Sequence, residues 1–218
     1  MAGHEHPSIS LANIEGNNDC QRMKKHKKLI QTDVPEIHKM ICELADYEKA
    51  LHSVEATEDS LRNTLIFAGS SQNQSNRVAK TLILRIQTSE PQTKSYSPSD
   101  ATSQIAGMAL FYPTYSTWTS KCGIHLEDLY VRPAYRGRGY GKLLIQRLAE
   151  EVVNMGGARL EWQCLEWNAS SLAFYDSLGA RKMDGWVGLR LDGERLVEMA
   201  TRGSEDGRGN VNGKVNGL

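Results

Sequence analysis

Arg136-Gly137-Arg138-Gly139-Tyr140-Gly141-Lys142 is the stretch on which the reading of this 218-residue chain turns. It follows the apolar run Leu126 to Val131 and a chain-redirecting Arg132-Pro133, and it opens a helix-period segment from Leu143 to Met155. Three glycines at alternate positions, set among basic residues, let the backbone pass very close to a negatively charged group. Glycine has no Cβ, so its amides can be aimed inward, and the helix that follows offers unpaired N–H groups at the positive end of its dipole. A strand, a glycine loop and a helix in this order read as a cradle for a phosphate or pyrophosphate.

Two familiar glycine patterns do not fit. A Walker loop places four residues between Gly and Gly-Lys and follows with Ser or Thr; here three residues separate Gly137 from Gly141, and Leu143 follows Lys142. A dinucleotide fingerprint needs a third glycine where this chain has Lys142. The spacing that does fit is R-x-x-G-x-G, on Arg136, Gly139 and Gly141.

The rest of the composition narrows the classes. Lysine plus arginine and aspartate plus glutamate both number 26, so charge balance gives no pointer to nucleic acid or to an anionic membrane. The hydrophobic share of 39% is modest because the ends are polar: residues 1–26 read as a disordered tail without a signal-type apolar core, and residues 202–218 as a second. No apolar run has the length of a membrane span, and Cys20, Cys42, Cys122 and Cys164 lie far apart, without a C-x-x-C pair. A cytoplasmic chain is expected, with no metal site. Lys24 to Lys28 form a basic cluster read as solvated.

Between the tails the element order is that of an α/β domain. Leu29-Ile30 starts a short strand; Thr32-Asp33-Val34-Pro35-Glu36 starts a helix; a second helix begins near Thr57. Strands are expected at 78–86, 105–112, 123–131, 160–165 and 186–191, with an exposed Ser- and Thr-rich loop over 87–103. Helices are expected after the glycine loop and over 170–178. The expected domain runs from 27 to 201.

A second landmark follows the loop. Asn168-Ala169-Ser170-Ser171 precedes a helix that ends Phe174-Tyr175-Asp176-Ser177-Leu178-Gly179-Ala180. Together the two segments resemble the signature of the GCN5-related N-acetyltransferases (GNAT). Ile41 to Glu48, Phe111 to Trp118, Leu126 to Val131, Glu166-Trp167-Asn168 and Gly185-Trp186 are further similar to the diamine/polyamine and thialysine acetyltransferases, over about residues 28–200. Ser116-Thr117 stands where members with polyamine activity usually carry Asp-Pro before the tryptophan, which leaves the acceptor less defined than the donor. The resemblance implies a single α/β domain with a mixed, mostly antiparallel sheet of about six or seven strands flanked by helices. It also implies two-fold pairing of copies through the C-terminal strand.

The resemblance implies acetyl-CoA as acyl donor: Leu129, Tyr130 and Val131 pairing with its pantetheine arm, the backbone from Arg136, Gly137 and Arg138 through Gly139, Tyr140, Gly141 and Lys142 holding the pyrophosphate, and Asn168 and Ser171 lining the arm. The alternative for Asn168 is a plain helix cap. N–H groups beside the arm would stabilise the developing oxyanion. Tyr175 is the candidate general acid for the departing thiolate.

The resemblance implies a primary amine as acceptor, which must lose its proton before attack. Glu127 and Asp128 are adjacent on a strand and therefore expected on opposite faces, so that one of them faces the acceptor; the resemblance favours Glu127 as that carboxylate and as base, with Asp128 read as substrate-binding or as structural. Tyr47, Glu48, Trp118 and Trp186 would complete a cation-binding wall. A small diamine, polyamine or lysine-like amino acid is the expected acceptor in a ternary complex. A protein lysine acetyltransferase and a non-catalytic acyl-CoA-binding regulator are the alternatives.

Overall fold

A computed structural model describes residues 6–11, 33–67, 77–88 and 102–205. Leu29-Ile30, the Lys24–Lys28 cluster, most of the 87–103 loop and the chain beyond Glu205 lie outside the described residues. The chain divides into two compact units, Met1–Leu172 and Ala173–Leu218.

The first unit is built on a sheet. Its strands β1 (His6–Leu11), β2 (Lys80–Thr88), β3 (Thr102–Ser116), β4 (Lys121–Val131) and β5 (Arg159–Trp162) lie side by side in that order. The first three pairings are antiparallel and β4–β5 is parallel. The described residues thus give five strands where six or seven were expected, and their membership differs too. His6–Leu11, expected in a disordered tail, pair with Leu82–Gln87. The segment His-Pro-Ser-Ile-Ser-Leu alternates with a period of two, and a proline is tolerated on an edge strand.

Helix α1 (Val34–Tyr47) buries Val34, Ile37 and Met40 against Ile83, Met108, Leu110 and Tyr130 of the sheet, with Leu61 of α2 (Glu58–Thr64) in the same cluster. Apolar spacing of three and four residues made this face legible. Asp33 begins α1 as expected, but its carboxylate does not cap the helix. It accepts from Arg85 Nη2 of β2 at 2.5 Å, and burial outweighs that cation and raises its pKa. Thr57 does cap α2, through reciprocal bonds with Ser60 of 2.9 and 3.1 Å. Helix α3 (Tyr140–Asn154) packs chiefly on β4, burying Leu144, Ile145, Leu148 and Val152.

Arg132 fastens α1 to the end of β4. Its guanidinium donates to Glu36 at 2.7 Å, to Glu43 at 3.1 Å and to the Ile105 carbonyl at 3.0 Å. These bonds fix where α1 ends relative to the sheet, and so where Tyr47 and Glu48 stand.

The second unit contains the rest of α4 (Ala169–Ser177) and α5 (Gly193–Glu205). Trp186–Leu191, expected as a strand, has no regular structure, and Trp186, Val187 and Leu189 are 68%, 79% and 92% exposed. Alternating hydrophobicity does not by itself make a strand, because the backbone must also find a partner to pair with. The helix beyond it was not expected; Glu194-Arg195-Leu196 and Glu198-Met199-Ala200 are good helix formers.

Gly107 lets β3 and β4 approach more closely than a side chain would allow. A Cβ there would lie 2.5 Å from the Tyr130 carbonyl oxygen and 3.2 Å from Val131 Cα. Gly107→Ala is expected to destabilise the chain by roughly 1–3 kcal/mol, read as a lower urea midpoint at unchanged slope.

Candidate active site

The pairing of β5 with β4 stops early. Arg159–Trp162 match Gly123–Leu126, and no strand lies beside Glu127–Val131 on that edge among the described residues. The strands therefore diverge and leave a slot along Glu127–Val131. At the same point the β3–β4 register slips: Phe111 faces Leu126, Leu110 faces Asp128, and Glu127 is the extra residue.

This bulge overturns the expectation that Glu127 and Asp128 point to opposite faces. Asp128 lies opposite Leu110, whose side chain is in the α1-side core. Glu127 Oε2 lies 3.7 Å from His125 Nε2, and His125 stacks on Tyr112 at 5.0 Å, two residues along β3 from Leu110. A one-residue bulge interrupts the alternation of side chains, so both carboxylates share the α1 face. They differ in depth. The Glu127 side chain is 55% exposed, whereas Asp128 is half-buried. Burial, then Glu127 and Glu48, push the Asp128 carboxyl from its ordinary 3.8 to about 6.

Beyond β4 a 3-10 turn, Pro133–Tyr135, leads into the glycine loop. Gly137 and Gly139 adopt φ of 75° and 78°, a left-handed conformation in which a side chain is strained, and Gly139 is the N-cap of α3. A Cβ at either would meet nothing within 4 Å, so the glycines serve the turn and leave the space before it open. No side chain caps α3 and no acid stands in its first turn. Its end amides can therefore take an anion, as the pyrophosphate reading requires. Tyr140 enters with a buried ring, so only its backbone belongs to the loop. The Arg136 guanidinium is committed elsewhere: Nε donates to the Val131 carbonyl at 2.8 Å, and Cζ lies 5.5 Å from the Tyr47 ring centroid and 5.7 Å from that of Tyr130. Arg138 stands over Tyr135, and Lys142 is exposed.

The end of α1 brings Tyr47 and Glu48 to this slot. The Tyr47 hydroxyl donates to Asn168 Oδ1 at 3.2 Å, and its ring lies 6.0 Å from that of Trp167. Burial raises the Glu48 carboxyl, and Glu48 adds to the burial that raises the Cys164 thiol. Asn168 is buried and is the cap of α4: Oδ1 also accepts from the Ser171 amide at 3.2 Å and from Ser170 Oγ at 3.1 Å. Helix cap and site residue, held apart in the sequence reading, are one position.

Trp167 was missed as a site residue, although it lies between residues singled out. Its signal was the pairing of an aromatic with the helix cap that follows it. Trp118 is not gathered in. It sits on the turn between β3 and β4, 88% exposed, and Lys121, where β4 begins, is already roughly 20 Å along the strand from Glu127. Trp186 and Tyr175 belong to the second unit, where Tyr175 is half-buried with its ring 5.1 Å from that of Phe174. An open cleft of about 590 Å³ beside Arg132 holds none of the expected site residues and is lined by Glu36 and Glu43, which already partner that arginine. Among the described residues no group of His, Cys, Asp or Glu could hold a metal ion, and no helix is long and apolar enough to cross a membrane.

The profile of the Acetyltransferase (GNAT) family matches residues 70–180, which hold the slot, the bulge, the glycine loop and Asn168. The chain is 31% identical to the L-ornithine N5-acetyltransferase of Arabidopsis thaliana, over 76% of this chain and 82% of that protein. It is 33% identical to the thialysine N-epsilon-acetyltransferase of Mus musculus, over 79% and 94%. Among solved structures, an integron cassette protein of V. cholerae superposes with a TM-score of 0.58 over 88% of this chain and 98% of its own, at 20% identity, a likeness of fold. A divided sheet edge, a glycine-built turn into an uncapped helix and this family match agree: the chain belongs to the GNAT acetyltransferase family and is an N-acetyltransferase.

Proposed function

We propose that this enzyme transfers an acetyl group from acetyl-CoA to the primary amine of a small cationic acceptor in a ternary complex. The observation that carries the reading is the pair of carboxylates, Glu127 and Asp128, brought to one face at the head of the open β4 edge. Acetyl-CoA supplies an activated acetyl thioester. The residues present suit it. Among the described residues no strand pairs with β4 beside Leu129, Tyr130 and Val131 on its β5 side, and the left-handed glycines of the loop lead into a helix whose first amides no side chain caps.

In this reading the two carboxylates divide the work. Exposed Glu127 draws the ammonium in. Half-buried Asp128, whose carboxyl titrates close to the working pH, takes its proton, because a base is most effective with a pKa near ambient pH. Glu48 adds negative potential, and Tyr175 donates to the departing thiolate. A small cationic acceptor suits three acids gathered beside the rings of Tyr47 and Trp167. The exposed Trp186, Val187 and Leu189 supply an apolar surface for two-fold pairing, which light scattering would test.

The deciding experiment is a steady-state screen of acetyl-CoA with ornithine, lysine, thialysine, putrescine, spermidine and a lysine-bearing peptide. Turnover of the small amines is the expected result. Turnover of the peptide alone would replace the reading with a protein acetyltransferase, and no turnover on any amine would remove it.

Asp128 gives a signed pH prediction. Its pKa lies above the unfolded value, so its ionisation lowers stability progressively between about pH 4 and 6, by about 3 kcal/mol in all. Asp128→Asn is therefore expected to raise the unfolding midpoint at pH 7.5 and to leave it unchanged near pH 3.5. In the same variant turnover falls at least about tenfold, and the steepening of log kcat/KM below about pH 6 disappears. Tyr175→Phe is expected to lower kcat at least about tenfold while the dissociation constant of acetyl-CoA, from calorimetry, stays close to wild type. Gly139→Ala should raise that constant, because a side chain at φ 78° costs about 1 kcal/mol and shifts the cradle.

A further inference from the structure

The sequence places Tyr47 in the wall that holds the acceptor's ammonium, yet its partners in the fold are residues of the donor side. Its hydroxyl donates to Asn168 Oδ1 at 3.2 Å, and its ring centroid lies 5.5 Å from Arg136 Cζ and 6.0 Å from the Trp167 ring. A ring that already faces a guanidinium has less of its negative face left for a second cation.

Arg136 and Asn168 stand on the two sides of the slot. The Arg132 amide donates to the Ala106 carbonyl of β3 at 2.9 Å. In a trans peptide the N–H and C=O point opposite ways, so the Val131 carbonyl, in the same peptide unit, is turned from β3 to the open side of β4. Arg136 Nε donates to that carbonyl at 2.8 Å. Asn168 belongs to the chain that follows β5, at the start of α4. Val131, Arg136, Tyr47 and Asn168 are therefore linked in series from the open β4 edge to the cap of α4, and the end of α1 supplies the central link.

The same hydroxyl helps to fix the Asn168 amide. Oδ1 accepts from the Tyr47 hydroxyl, from Ser170 Oγ at 3.1 Å and from the Ser171 amide at 3.2 Å. A backbone N–H can only donate, so this atom is the oxygen and the N–H groups lie on the other branch. Those N–H groups have no partner among the described residues, although Asn168 is only 7% exposed. A donor so placed calls for an acceptor, and the amide carbonyls of a pantetheine arm are acceptors.

We propose that Tyr47 is a positioning residue of the donor site: its hydroxyl holds the Asn168 amide with the N–H groups free for the acyl donor's arm, and its ring braces Arg136 on the opposite side of the slot. The proposal rests on the acetyl-CoA reading above and moves Tyr47 from acceptor to donor. Attraction of the acceptor's ammonium is then left to Glu48, Glu127 and Asp128.

Equilibrium binding of acetyl-CoA and steady-state kinetics on the amine test it, with a urea midpoint for each variant. Tyr47→Phe keeps the ring and loses only the hydroxyl. It should raise the acetyl-CoA Kd about fivefold, the scale of one neutral hydrogen bond, with the amine KM within about twofold of wild type. Tyr47→Leu, which also loses the brace on Arg136, should raise that Kd further. In an Asn168→Ala background Tyr47→Phe should add nothing, because the hydroxyl acts through that amide. Asn168→Asp keeps the helix cap but has no N–H to donate, so it should unfold at the wild-type midpoint and still bind acetyl-CoA weakly. An unaltered acetyl-CoA Kd in Tyr47→Phe, an equal rise in the amine KM, or a loss that persists in the Asn168→Ala background overturns this proposal alone. Absence of acetyl-CoA binding to the wild type overturns the donor reading and the proposal with it.

Discussion

The candidate site depends on one constraint: β5 pairs with β4 only as far as Leu126, while β4 runs on to Val131. An interior strand that has no neighbour along half its edge among the described residues is unusual, because backbone N–H and C=O groups there need partners. Here the edge lies next to the turn that leads into α3, so an extended molecule along it would end at uncapped helix amides. One divergence of two strands thus supplies both the groove and its direction. The bulge at Glu127 lies at the point of divergence and turns two consecutive acids to one side.

Holding three acids near one another has an energetic cost that the surrounding packing must offset. The same crowding that makes Asp128 a usable proton acceptor makes it a weak point of the folded state at neutral pH. Arg132 helps bear the load from a distance. By tying Glu36, Glu43 and the Ile105 carbonyl together it fixes α1 on the sheet, so that Glu48 is presented at the slot by a rigid helix and not by a loop.

Much of this was legible in the sequence, for identifiable reasons. The glycine loop declares itself because only glycine occupies left-handed positions cheaply, and Gly137 and Gly139 both prove to be left-handed. Helices α1 and α3 follow from apolar residues spaced three and four apart, and Asn168 from its place before a helix. What was not legible depends on partners. The bulge is a relation between β3 and β4, invisible in either strand alone, and it puts Glu127 and Asp128 on one face where strict alternation puts them on two. His6–Leu11 form a strand by pairing with β2, whereas Trp186–Leu191, which also alternate, have no regular structure. Trp118 looked like part of the wall because it is aromatic and near the acids in sequence, but strands are extended and carry near neighbours far apart.

The place of β1 bears on how the chain is made. Its partners, Leu82 to Gln87, lie some seventy residues downstream of it. During synthesis β1 cannot make these pairings until β2 has followed it out, and it must wait through the making of α1 and α2. Closing so long a loop costs only a little more entropy than closing one half its length. The delay is therefore set by translation, and through it the outer edge of β2 stays uncovered only once β2 itself exists, for the short time that docking takes.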